Sequence, residues 1–124
     1  MKLIINNDTV ISEVQEKFSA YYPYLKIDFY KTSKEQSALF EVSDQIKPHE
    51  KFSKFQSFSE PVEIDISPER TVMQVENDFY DQCGIVMQVS RKSGHIWIQT
   101  SRTDYRTLQM QNESGEAMSA MEGN

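Results

Sequence analysis

One group of side chains has the residue types and spacing of a binding surface. Arg91 and Lys92 precede His95 and Trp97, and two more arginines follow a few residues later. An indole ring beside cations can stack on a base or anchor a protein partner. Three interpretations are open: an indole covered by the protein's own chain, a self-association surface, and a ligand or nucleic-acid site. The predicted binding or interface residues here are Arg91, Lys92, His95, Trp97 and Gln99.

A second aromatic group lies in the irregular middle of the chain. Phe52, Phe55 and Phe58 recur at every third residue, a spacing that drifts around a helix and does not fit a strand. The rings either cover one edge of the core or form a lid or partner-binding segment, since large exposed apolar patches mark contacts. We include all three among the predicted site residues.

The sequence contains few groups for catalysis or metal binding. His49 and His95 are the two histidines, and neither has a second ligand at the spacing of a metal motif. Cys83 is the single cysteine, and we place it at a helix C-terminus, where the carbonyl dipoles raise a thiol pKa. Neither a phosphate-binding loop nor a nucleophile elbow is present. We expect a non-enzymatic protein with no catalytic residue, metal or cofactor.

Composition narrows the class of protein further. The 124 residues and 38% hydrophobic content predict one globular domain. The net charge of −6 argues against general binding of a phosphate backbone, so nucleic acid is not an expected partner. No apolar run approaches the ~20 residues of a membrane helix, and the N-terminal residues do not resemble a signal peptide. We therefore expect a cytoplasmic protein that does not bind membranes.

The tryptophan must be positioned by a β-hairpin that spans residues 84–100. Its two halves are rich in Ile and Val, and Gly94 can adopt the positive φ of a tight turn. With Ser93 and Gly94 as the central turn residues, Val89 faces Ile98 in the core and Trp97 points away from it. A three-residue turn with a bulge would instead place Trp97 beside Val89.

Two β-α-β units with similar apolar spacing precede the hairpin and overlap it. The first helix carries apolar residues at i, i+3 and i+7, with Asp8 or Thr9 as its cap, and the second repeats the spacing with Thr71 as its cap and Gly84 at its end. Either an internal duplication or the general similarity of all β-α-β units explains the repeated spacing. The apolar stripes are Ile11, Val14 and Phe18, then Val72, Val75 and Phe79.

These elements predict an α+β fold. We expect a two-layer sandwich in which two helices cover one face of a mainly antiparallel sheet of about five strands. The first topology is ferredoxin-like βαββαβ with an extra strand, and the alternative is β-grasp-like. Residues 38–42 form a further candidate strand. We expect a single domain over residues 1–112, with a short terminal helix capped by Thr103 or Asp104, and a disordered acidic tail over residues 113–124.

The C-terminal third resembles a family of small bacterial α+β proteins of unknown function. The shared features are an Arg-Lys-Ser-Gly turn, a tryptophan strand, a Thr-Asp pair and a Thr-Leu…Gln-Asn ending. The resemblance implies a bacterial cytoplasmic domain and no particular mechanism. The matching positions are Arg91–Gly94, Trp97, Thr100, Thr103–Asp104, Thr107–Leu108 and Gln111–Asn112.

Two functions are consistent with these observations. The first is a non-enzymatic interaction module, a homodimer that self-associates through the outer sheet face around Trp97, with another protein as a further candidate partner. The alternative is a small-molecule or nucleotide binder that uses Trp97, Arg91, Lys92 and the Phe52–Phe58 loop.

Overall fold

A computed structural model describes residues 1–31 and 44–122. Within these ranges the chain has an α+β fold with five strands and three α-helices, and the predicted fold class is confirmed at that level. No described helix has the length and apolar character needed to cross a membrane. The elements in chain order are β1 (Lys2–Ile5), α1 (Ile11–Tyr21), β2 (Leu25–Lys31), a 3-10 turn (Phe52–Lys54), β3 (Val62–Asp65), α2 (Val72–Cys83), β4 (Ile85–Ser93), β5 (Ile96–Gln99) and α3 (Leu108–Glu122).

The strands form two antiparallel sheets where the sequence predicted one. β1 pairs with β3, and the second sheet has the order β2-β4-β5. Other groups already occupy the outer edge of β2: the Ile46 amide donates to the Phe29 carbonyl at 2.7 Å, and Gln15 of α1 donates to Ile27 at 3.0 Å. The β1-β3 pair therefore does not extend the sheet at that edge. The ferredoxin-like topology is not confirmed, and the predicted strand at 38–42 lies outside the described residues.

Both predicted amphipathic helices form, and their apolar stripes are buried. Thr71 caps α2 and Gly84 ends that helix with φ of 68°, both as predicted, and Gln74 completes a reciprocal capping box with Thr71. The predicted cap of α1 is wrong, because Val10 occupies that position. The first amides of α1 donate instead to the Pro48 and Glu50 carbonyls, each at 2.9 Å.

The segment that precedes α3 caps the start of α2, and the segment that precedes α2 caps the start of α3. The amides of Val72 and Met73 donate to carbonyls at 106 and 104, and those of Leu108 and Gln109 donate to carbonyls at 70 and 68, all within 2.9–3.1 Å. An antiparallel β-bridge between Thr71 and Thr107 joins these two segments. A similar bridge, between Val10 and Lys51, lies at the start of α1. The likeness of the two β-α-β units thus extends beyond their apolar spacing.

The helix α3 occupies most of the stretch that the sequence predicted to be a disordered tail. It continues to Glu122, and the Thr107 hydroxyl, rather than Thr103 or Asp104, accepts from an amide of its first turn at 3.1 Å. Mutual capping with α2 and packing on β4 and β2 hold this helix in place. Residues 113–122 are therefore helical because of tertiary contacts that the acidic composition does not reveal.

The hairpin forms, but its predicted register is wrong by two residues. Ser93 lies opposite Ile96, so Gly94 and His95 are the central turn residues, and Gly94 has φ of 64°. Glycine at the first central position is typical of a type II′ turn, whereas the sequence interpretation had placed it second. A shift of two residues leaves each side chain on its predicted face of the sheet.

Candidate interaction surface

Trp97 lies on the face of the β2-β4-β5 sheet that does not supply the core. On β2 and β4 the alternate residues Leu25, Ile27, Phe29, Ile85, Met87 and Val89 are all buried in the core cluster. We call the opposite side the outer face, and define it by Lys26, Asp28, Gln88, Ser90, Lys92, Trp97 and Gln99.

Apart from Tyr30 and Val86 at its far end, the outer face is polar around the Trp97 ring. Trp97 is 40% exposed, and the Lys26 ammonium nitrogen lies 5.1 Å from its ring centroid, within cation–π range. Ser90, between the strands that carry these two residues, is small and buried, so the lysine can reach across it to the indole. The sequence interpretation missed Lys26, although its alternation with Leu25 and Ile27 places it on this face.

The strand β5 is the edge of this sheet and its most exposed part. Each of its four residues is exposed, including Ile96 at 62% and Ile98 at 39%. The prediction that the helices cover Ile98 is wrong, because its neighbour across the strands is Arg91, beyond the buried stretch of β4. Ile96 and Ile98 are thus exposed on the side of the sheet that carries Arg91, whereas Trp97 is exposed on the outer face.

Arg91 does not belong to the Trp97 surface. It alternates with Lys92 and lies on the opposite face, where its guanidinium donates to Gln111 of α3 at 3.2 Å. Gln111 is fully buried and donates in turn to the backbone carbonyl and hydroxyl of Thr103, at 2.8 and 2.9 Å. The arginine therefore acts as a structural contact between the sheet and α3.

Other residues of the C-terminal segment complete this attachment of α3. The Asn112 side chain of α3 accepts from the Tyr24 amide at 2.9 Å, whereas Thr100 donates to the Val89 carbonyl at 2.9 Å and fixes the end of β5 to β4. Gly115 approaches Tyr24 so closely that a Cβ at 115 would lie 2.8 Å from the Tyr24 Cβ. Many of the positions that carry the family resemblance thus hold α3 on the sheet. The resemblance itself stays a prediction.

The three phenylalanines of the middle segment are not on the outer face. Phe52 and Phe58 are buried in the core, and Phe55 packs against it partly buried. The Phe52 ring lies 5.4 Å from that of Phe29 and 6.5 Å from that of Phe79, between centroids. Because Phe29 points to the core side of the sheet, these rings cannot form a lid over Trp97.

The remaining ionisable groups do not converge on a reactive centre. His95 is exposed in the turn, and burial raises the pKa of the Cys83 thiol to about 12, which keeps it protonated near neutral pH. Burial, with a contribution from the charge of Asp104, raises the pKa of Glu76 to about 8. Within residues 1–31 and 44–122, no three His, Cys, Asp or Glu side chains are grouped so that they could hold a metal ion.

Comparisons with known proteins identify no similar protein. No protein-family model matches the sequence, no curated protein is similar to it, and no solved structure matches its fold.

Proposed function

We propose that this protein is a non-enzymatic, cytoplasmic interaction module that self-associates through the outer sheet face around Trp97. The observation that carries the proposal is the 40% exposure of Trp97 on the outer face of an uncharged edge strand, whose Ile96 and Ile98 are exposed on the other face. Exposed apolar side chains concentrated at one edge of a sheet favour an interaction site, and tryptophan is enriched among the residues that dominate binding energy. The rest of the outer face supplies a polar rim of lysine and amide side chains.

A homodimer is the assembly we favour, because small domains associate most often as twofold symmetric pairs. The local charge does not oppose it. The chain carries a net charge of −6, but β5 contains no charged residue and the nearest charges on the outer face, Lys26 and Lys92, are positive. The residues of β5 themselves therefore contribute no charge repulsion to a dimer.

Sedimentation velocity of the full chain at increasing concentration tests the proposal. We expect a concentration-dependent dimer, and Trp97→Ala should weaken it by roughly 30-fold, the effect of losing one dominant interface residue. Tyr105→Ala is the matched control, because Tyr105 is a 64% exposed aromatic residue outside the outer face. Sedimentation of the parent as a monomer at all concentrations would refute self-association.

The second candidate is a small-molecule or nucleotide binder that uses Trp97 and Lys92. One observation favours it: the Oε1 atom of Gln88, on the same face, is buried and has no hydrogen-bond partner among the described residues. Arg91 and the phenylalanines do not contribute, and Lys26 already lies over the indole ring. Tryptophan fluorescence titrated with ATP, GTP and a short single-stranded oligonucleotide separates the two functions, since self-association predicts no saturable quenching.

A further inference from the structure

The backbone of β5 has hydrogen-bonding groups on its free edge. Ile96 and Ile98 lie opposite Ser93 and Arg91, and the Thr100 amide donates to the Val89 carbonyl at 3.0 Å. Bonded and non-bonded pairs alternate along an antiparallel ladder, so Ile96, Ile98 and Thr100 direct their amides and carbonyls toward β4. Those of Trp97 and Gln99 point the other way, where no strand of the described chain pairs with them.

Natural proteins usually protect such an edge, and of the usual devices β5 has only its short length of four residues. Edge strands carry lysine, proline or a bulge, which prevent pairing with another chain. The sequence of β5 is Ile-Trp-Ile-Gln, with no charge and no proline, and its pairing with β4 is regular. An edge with free backbone groups and exposed apolar side chains is suited to receive another strand.

We propose that the occupant is β5 of a second copy, paired antiparallel so that Trp97 lies opposite Trp97 across a twofold axis. This inference rests on the proposed self-association and places its contact along the backbone edge of β5, beside the outer face, and not across the outer face itself. The exposed run comprises residues 95–99, which is centred on Trp97, whereas Thr100 is buried and cannot be part of the interface. In this register Ile96 faces Ile98 of the second copy, so all exposed apolar side chains of the edge meet apolar partners.

Charge also favours edge pairing over stacking of two outer faces. Stacked faces would bring the lysines of both copies together, whereas in edge pairing the two Lys92 residues lie three strand spacings apart. That distance is about 14 Å, beyond the ~8 Å screening length at physiological ionic strength. The two three-stranded sheets then become one continuous sheet across the dimer.

Gln99→Pro tests whether backbone pairing holds the dimer. Proline removes the outward amide of Gln99 but none of the amides that β5 donates to β4. We expect a roughly 30-fold rise in the dimer dissociation constant, from two lost hydrogen bonds per dimer. Gln99→Ala is the matched control, since it removes the side chain, keeps the amide and should change the constant less than threefold. Circular dichroism and thermal melting establish that both variants fold.

Disulfide cross-linking tests the register without altering Trp97. Residues 95 and 99 of opposite copies face each other in the proposed pairing, with Cα atoms about 5.5 Å apart, within disulfide range. In a Cys83→Ala background, His95→Cys combined with Gln99→Cys should give a covalent dimer on oxidation, and each single substitution should not. A dimer that persists in Gln99→Pro and fails to cross-link would overturn edge pairing and leave self-association standing, whereas a parent that is always monomeric would overturn both.

Discussion

The close contact of Gly115 with the sheet predicts that a single added methyl group destabilises the protein. Gly115→Ala would place Cβ 2.8 Å from the Cβ of Tyr24, and 3.1 Å from both the Tyr24 carbonyl oxygen and Arg91 Cγ. The first distance is roughly 0.7 Å shorter than the ~3.5 Å at which two carbon atoms pack. A backbone carbonyl and a Cβ cannot rotate away, so α3 must move off the sheet.

Three terms, one stabilising and two destabilising, determine the size of the effect. Alanine is favoured over glycine in a helix interior by about 1 kcal/mol, which by itself would stabilise the variant. Overpacking costs about 1–3 kcal/mol. Displacing α3 also stretches the Arg91–Gln111 and Tyr24–Asn112 hydrogen bonds, each worth about 1 kcal/mol. We expect the steric term to prevail, with a net loss of about 2 kcal/mol in the free energy of unfolding.

Urea denaturation followed by far-ultraviolet circular dichroism measures this loss, and the melting temperature should fall by roughly 6–10 °C. The matched control is Glu116→Ala, at the adjacent exposed position of α3, which should change the free energy by less than about 0.5 kcal/mol. A Gly115→Ala variant at least as stable as the parent would refute the reasoning, because helix propensity alone would then decide the outcome.

Two further substitutions address a partly buried carboxyl group and a buried ring. Glu76 has its pKa raised to about 8 in the folded protein, so folding favours its protonated form, and stability falls as pH rises from the unfolded value of about 4.5 through 8. Glu76→Gln should flatten this decline and exceed the parent's stability above pH 8, as measured by urea denaturation, whereas exposed Glu16→Gln should preserve the parent's pH profile. Phe52→Ala should cost about 3–5 kcal/mol in the same assay, and partly buried Phe55→Ala clearly less, whereas equal small losses would contradict the core position of Phe52.

The sequence predicted the elements whose signals are local. The i, i+3, i+7 stripes, the Thr71 cap and the Gly84 terminus identify the helices, because side-chain periodicity and capping act within a few residues. The same holds for the outward face of Trp97, since a strand alternates its side chains and a register shift of two residues does not change the face.

The composition of the candidate surface was less predictable. Lys26 is far from Trp97 in sequence but lies over its indole ring. Arg91 is close to Trp97 in sequence but lies on the opposite face of the sheet, where it donates to Gln111. Sequence proximity grouped Arg91 with Trp97, but in a strand adjacent residues point in opposite directions. The phenylalanine segment could not be assigned from its spacing, because only its packing against Phe29 and Phe79 distinguishes a core cover from a lid.

The sequence by itself determined the α+β class and the two amphipathic helices, and it favoured the display of an indole on the outer side of a hairpin. Only the tertiary structure decided that the strands divide into two sheets, that α3 continues through the acidic C-terminal residues and that β5 is an exposed edge. These features depend on contacts between residues far apart in the chain, such as the mutual capping of α2 and α3 and the packing of Gly115 on Tyr24. Local propensity and periodicity carry no information about such contacts, because their free energy exists only once the chain has folded.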